Sequence, residues 1–207
     1  MSAEKLKTAV RQEQIAQAAL HLIGRRGLKG LSVGALARSV GLVPSAIYRH
    51  FPSKDHVIGL VLDLIRARLL ENARAVNQET TDPLEALRLL LMRHVKLVRE
   101  NEAIPLVIFS EQVYAGRPER RARMYQVFKE YLGSVRELIE RGQRLGHIRA
   151  DLDSRVVAVL FIGLFQPGAI LWHLSEGEFD LTRQAIRAWR VYRDALEPSR
   201  RTRAGAK

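Results

Sequence analysis

Apolar residues recur along most of this chain at steps of three and four, the spacing that gathers them on one face of an α-helix. Ile15, Ala18, Ala19, Leu22 and Ile23 open the series, and the stripe stops at the glycines of "GRRGLKG". Ser32 then caps a short helix, "VGALARSV", which Gly41 ends. Pro44 and Pro52 bracket seven residues that read as a helix of about two turns. A long helix starts after Ser53 and runs to about Gln78. Beyond it, "TTDP", "NEAIP", "YAGRPE", "GHIRADLD" and "SEGEFDLT" separate striped segments of about 11 to 28 residues. No run alternates as a half-buried strand does. The pattern predicts an all-α chain of about nine helices, three short and then longer ones.

A two-turn helix is marginal by itself, because nucleation costs more than two turns return. The residues around it explain its presence. Leu36, Val40, Leu42, Ile47 and Phe51 are the apolar positions of residues 33–51, and Ala37 sits where two helices cross closely. Gly41, four residues on, supplies a turn with positive φ. Helix, glycine turn and helix make a helix-turn-helix, with the first helix and the long one after Ser53 holding the short reader from behind. Such a reader needs only to enter a major groove about 12 Å wide. Pro44, Ser45, Tyr48, Arg49 and His50 face outward or flank it. Tyr48 and His50 can reach phosphate or sugar oxygens, and Arg49 a phosphate or a guanine. Lys54 opens the next helix, where free N–H groups and positive charge favour a phosphate. A Tyr-Arg-His run alone reads more readily as a solvated helix face.

Charge decides between those readings. The net charge is +12, yet residues 1–54 hold nine basic and two acidic side chains, and residues 198–207 four basic and no acidic ones. The middle is balanced. A compact basic head fits a polyanion, nucleic acid before an acidic membrane. The tail reads as a disordered, solubilising end.

With those residues in place, "LSVGALARSVGLVPSAIYRHFPSKDHVIGLV" resembles the DNA-binding head of the tetracycline-repressor (TetR) family. The match spans about residues 9–65 and rests on the Ser cap, the Leu-Ala pair, the Gly-Leu turn, Ile-Tyr-x-His-Phe and Ser-Lys. The resemblance implies an N-terminal three-helix DNA-binding domain over 1–53 and a helical effector-binding and dimerisation domain over 54–197, with the tail beyond. It implies a sequence-specific regulator, a repressor released from duplex operator DNA by a small effector. The homodimer is expected through a four-helix bundle of the last two helices of each chain. The DNA-contacting set is Ser32, Val43, Pro44, Ser45, Tyr48, Arg49, His50 and Lys54. One departure stands out: the family often opens its reading helix with Ser or Thr followed by Lys or Arg, where this chain has Val43 and Pro44. A polar cap and a basic contact are missing there, so contact with a thymine methyl is the expected role.

Residues 156–172 are apolar apart from Gln166. That run is short for a membrane span and contains Gln-Pro, so it predicts a helix buried on two faces, one against its own core and one against a partner chain. Ala185, Trp189, Tyr192 and Leu196 form the expected dimer seam on the last helix. Pro167 is expected to kink the apolar helix, either for packing or to leave Gln166 as the polar handle of a pocket wall. His94 falls on the stripe of Leu87, Leu91, Val95 and Val98, where a satisfied core histidine competes with a ligand contact. Phe109, Gln112, Val113, Phe128, Tyr131, Phe165 and Trp172 complete a candidate lining for an apolar or aromatic effector.

Cysteine is absent, which excludes disulfides and thiolate metal sites. No nucleophile elbow, phosphate-binding loop or zinc-protease motif occurs, so neither an enzyme nor a cofactor is expected. The N-terminus lacks the apolar core of a secretory signal, which makes the cytoplasm the expected compartment. The competing reading is a DNA-bound interaction protein with no small-molecule effector.

Overall fold

The computed structural model of the chain describes residues 3–43, 45, 47, 51 and 53–198, with side chains from residue 10 onward. Among the described residues there is no strand. The order is α1 (Ala3–Gly30), α2 (Val33–Ser39), α3 (Lys54–Glu79), α4 (Pro83–Glu100), α5 (Ala103–Ile108), α6 (Glu111–Tyr114), α7 (Pro118–Arg144), α8 (Ser154–Gly163), α9 (Gln166–Leu174) and α10 (Leu181–Leu196). By contacts the chain forms two compact units. One takes the residues up to Arg68 together with Val98–Gln126, and the other takes Leu69–Leu97 with the residues from Val127 on. The division falls inside α3, α4 and α7.

In the first unit, α1 breaks at Gly27, whose φ of 66° lies outside the helical region. Ile15, Ala19 and Ile23 of α1, Leu36 and Ala37 of α2, Ile47, Phe51, and Val61 and Ile65 of α3 are all almost fully buried. Each of these side chains apart from the alanines contributes about 1.5–3 kcal/mol of transfer free energy. This core is what makes the short reading segment tenable, since Ile47 and Phe51 are both buried and the Phe51 ring lies 6.0 Å from that of His56 on α3. Across the unit, α1 also packs on α5, where Gly24 lies beside Ala103 and Gln17 donates to Asn101 at 2.7 Å.

The second unit is built on Leu87, Leu90 and Leu91 of α4, Tyr131, Leu138 and Ile139 of α7, Phe161 of α8, and Ala185 and Trp189 of α10. Asp153 caps α8 by accepting from the Arg155 N–H at 2.8 Å, and Asp180 caps α10 by accepting from the Arg183 N–H at 2.9 Å. At the end of α7 the chain folds back so closely that a Cβ at Gly142 would lie 2.5 Å from Cδ1 of Ile148. A larger residue there would make the Ile148 side chain shift, and the return is fixed by the N–H groups of His147 and Ile148 donating to the Gly142 carbonyl.

One expectation for this unit is corrected. The apolar run is not one kinked helix. α8 ends at Gly163, and α9 starts at Gln166 with Pro167 in its first turn, where a missing N–H costs nothing. By length and composition Ser154–Leu174 could still cross a membrane, although part of it is buried in the unit. The residues expected at the dimer seam, Ala185, Trp189, Tyr192 and Leu196, are already buried by the chain's own core. Tyr192 stacks obliquely near Phe161 and Trp189, and its hydroxyl donates to the Val157 carbonyl at 2.8 Å. The apolar side chains left uncovered in this unit include Val156, Val159 and Leu160 on α8, Ile170, Leu171 and Leu174 on α9, and Ile186 and Val191 on α10.

Candidate nucleic-acid interface

The turn that launches the reading segment has the geometry its sequence requires. Gly41 has φ 68°, its N–H donates to the Arg38 carbonyl, and the Leu42 N–H reaches back to the Ala37 carbonyl at 2.9 Å. This pair of bonds is a Schellman termination of α2, and the left-handed residue at its centre favours glycine. At the other end of α2, the Ser32 oxygen accepts from the Ala35 N–H at 3.1 Å. Ser32 is exposed, so its hydroxyl proton remains available to an external acceptor while its oxygen caps the helix.

Val43 and Ser45 are exposed, as a groove-facing role requires, whereas Ile47 and Phe51 point inward. Pro44, Tyr48, Arg49 and His50 lie outside the described residues. Lys54, at the start of α3, donates to the Leu28 carbonyl at the end of α1. That clamp between two elements of the head was not foreseen for a residue expected to hold a phosphate. An ammonium group has three donors, and one such bond leaves others for a second acceptor. The sequence reading also passed over Arg25, Arg26, Lys29 and Arg38 individually. All four are exposed, and no carboxylate pairs with them among the described residues. Their only signal in the sequence is the summed charge of the head.

Immediately beside Lys54, Asp55 lies between two guanidinium groups, Arg117 and Arg120. The hydrogen bond from Arg117 does most to hold its carboxyl below the ordinary carboxylate value. An open groove of about 600 Å³ runs along α1, lined by Val10, Glu13, Gln17, His21, Ser39 and Arg68 among others. None of the expected effector-lining residues belongs to it.

Those residues are divided between the units. Phe109 and Gln112 are exposed and Val113 is buried, all in the first unit. In the second unit, the structure brings together His94, Tyr131 and Phe165. The His94 ring lies 3.9 Å from that of Phe165, and its Nδ1 is 3.1 Å from the Tyr131 hydroxyl. Burial pushes the His94 pKa down to about 3 and raises that of Tyr131, so both are neutral at physiological pH. Phe128, Gln166 and Trp172 are partly exposed. His94 is thus a core histidine with a hydrogen-bond partner.

Comparison with known proteins agrees with this architecture. Residues 15–60 match the tetR family of bacterial regulatory proteins, and residues 66–194 match the C-terminal region of YsiA-like proteins. The nucleoid occlusion factor SlmA of Vibrio vulnificus is 26% identical over 185 residues, covering 88% of this chain and 94% of that protein. The fatty acid metabolism regulator protein of Bacillus subtilis is 22% identical over 168 residues, covering 81% and 86%. Among solved structures, the fatty acid degradation regulator FadR of Bacillus halodurans superposes with a TM-score of 0.74 at 23% identity, over 92% of this chain and 96% of that one. FadR of Bacillus subtilis in complex with stearoyl-CoA gives 0.73 at 18% identity, over 89% and 98%. A basic helix-turn-helix head joined to an all-helical C-terminal domain, matched by both family regions, makes this chain a member of the tetR family of DNA-binding bacterial regulatory proteins.

Proposed function

We propose that the protein is a cytoplasmic, sequence-specific transcriptional repressor that leaves its operator when a small, largely apolar effector binds its C-terminal domain. The observation that carries this reading is the match of residues 66–194 to a YsiA-like C-terminal region on a chain whose head is a helix-turn-helix. A relative matched over 81% of this chain is a fatty acid metabolism regulator protein, and a structure of the same fold holds stearoyl-CoA. A long-chain acyl-CoA is therefore the effector class to test first. Tyr48, Arg49 and His50 are proposed as groove-facing contacts, with Ser32, Val43, Pro44, Ser45 and Lys54 around them. The uncovered apolar face of α8 and α9 supports a homodimer, with a second copy rather than lipid covering Val156, Val159 and Leu160. Two heads about 34–36 Å apart would then read a near-palindrome.

The test is operator affinity with and without stearoyl-CoA. The expected result is a loss of about 5- to 150-fold, with operator DNA weakening acyl-CoA binding by the same factor. A specific relative supports the second reading, a DNA-bound factor with no effector, since SlmA is a nucleoid occlusion factor. An acyl-CoA that binds tightly and leaves operator affinity unchanged would favour that reading.

Lys54 offers a separate check on the head. Lys54→Ala is expected to weaken binding to every DNA sequence and to lower the slope of log affinity against log salt by about one unit. An unchanged slope would mean that the ammonium serves only the Leu28 carbonyl.

A further inference from the structure

Within the first unit, the only acidic residues on α3 are Asp55 and Asp63, and both are paired with arginines of one short segment. Asp55 takes Arg117 and Arg120, and Asp63 takes Arg123, so three basic residues at three-residue steps face two acids on the neighbouring helix. Ion pairs between exposed side chains contribute little each. Arg117 and Arg123 are of that kind. Arg120 differs, because its side chain is only 12% exposed and its fork holds backbone as well as carboxylate. One nitrogen donates to the Val113 carbonyl at 3.2 Å, and the other donates to the Asp55 carbonyl at 2.8 Å while lying 3.3 Å from the Asp55 carboxylate.

The position of that grip matters. Asp55 stands in the first turn of α3, after Ser53, whose hydroxyl accepts from the His56 N–H at 3.2 Å. Two residues before Ser53, Phe51 seats the reading segment in the core. On the other side of the same turn, Lys54 is tied to the Leu28 carbonyl. Consecutive residues at the start of α3 are thus held from two directions, by the end of α1 and by the Val113–Arg120 stretch. We infer that Arg120 is a positioning residue for DNA binding: its planar fork fixes the first turn of α3, and with it the seating of the reading helix, to the segment running from Val98 to Gln126. This rests on the regulator reading above and adds the point at which that segment grips the head. The fork is the reason for arginine, since a lysine cannot satisfy carbonyls of two elements in a fixed plane.

The experiment compares wild type, Arg120→Ala, Arg120→Lys, Arg123→Asp, and Arg123→Asp combined with Asp63→Arg. Two quantities are measured: hydrogen exchange of the amides at 54–59, and affinity for operator DNA. Arg120→Ala is expected to speed exchange in that turn and to weaken operator binding on the order of tenfold, with Arg120→Lys rescuing neither. The reversed pair is expected to recover what Arg123→Asp alone loses. Wild-type exchange and affinity in Arg120→Ala would overturn the inference, as would full rescue by Arg120→Lys, which would reduce the role to charge. Weaker DNA binding with unchanged exchange would also overturn it, because Arg120 would then be touching DNA directly. Exchange requires no DNA, so a wild type that binds no operator refutes the regulator reading while the exchange measurement still decides the role of Arg120.

Discussion

Replacing Trp189 with Glu is expected to unfold the second unit rather than to separate two intact subunits. Trp189 is 6% exposed, its ring lies 6.0 Å from that of Tyr192, and Tyr192 is in turn fixed to the α8 backbone at Val157. Deleting a buried tryptophan side chain costs about 3–5 kcal/mol from lost packing. An unpaired carboxylate in its place adds a desolvation penalty of several kcal/mol. Their sum approaches the whole stability of an ordinary domain, about 5–15 kcal/mol. Far-ultraviolet circular dichroism and a urea titration should show lost helix or a collapsed midpoint. Val159→Glu gives the contrast. Val159 is 57% exposed on the uncovered face of α8, so its substitution should leave the fold intact and produce a monomer with poor operator affinity. Sedimentation at micromolar concentration checks both. A folded, monomeric Trp189→Glu protein would restore the last helix as the seam, and a dimeric Val159→Glu protein would remove α8 from the interface.

These two helices show what periodicity can and cannot tell. The spacing of Ala185, Trp189, Tyr192 and Leu196 correctly marks one apolar face of α10, but an apolar stripe does not say whose surface covers it. On α8 the apolar residues continue around the helix, and only the folded chain shows that Val157 and Phe161 face inward while Val156, Val159 and Leu160 remain bare. Pro167 shows a different limit. A proline within an apolar run predicts a disturbance, and whether the helix bends or restarts depends on the residues before it. Here Leu164 and Phe165 make tight turns back to Phe161 and Ile162, so the helix restarts. The glycine turn of the head was legible because its requirement is local: Gly41 must take a positive φ for the two carbonyls to be satisfied. Arg120 was illegible for the opposite reason. Its partners lie 7 and 65 positions away in the chain, and no local pattern marks an arginine whose acceptors are carbonyls.

Acid is expected to weaken the fold first through His94. In the folded state burial pushes its pKa down to about 3, while the unfolded chain returns it to the ordinary value of 6.5. Between those values the unfolded chain binds a proton that the folded chain refuses, so stability falls as pH drops from 6.5 toward 3 and is unaffected above 6.5. Each pH unit in that window is worth about 1.4 kcal/mol, so lowering the pH from 7 to 4 should cost roughly 3 kcal/mol from this residue. The carboxylates act only at the acid end of this window. Asp55, Glu85, Glu140, Asp151 and Asp153 have lowered pKa values, so their contribution is present above the ordinary carboxylate range and lost only as pH falls through it. A urea-unfolding series from pH 7 to about 5, above that range, therefore isolates the histidine from these carboxylates. His94→Phe alone would leave the buried Tyr131 hydroxyl without its 3.1 Å partner, at a cost of about 1–3 kcal/mol. Combining it with Tyr131→Phe removes both polar groups, keeps an aromatic ring against Phe165, and should give near-wild-type stability at pH 7. The double variant should then lose far less stability than wild type between pH 6.5 and 4. Equal acid sensitivity in the two proteins would mean that the His94 site opens to water before the rest of the fold, and that its burial does not control stability in acid.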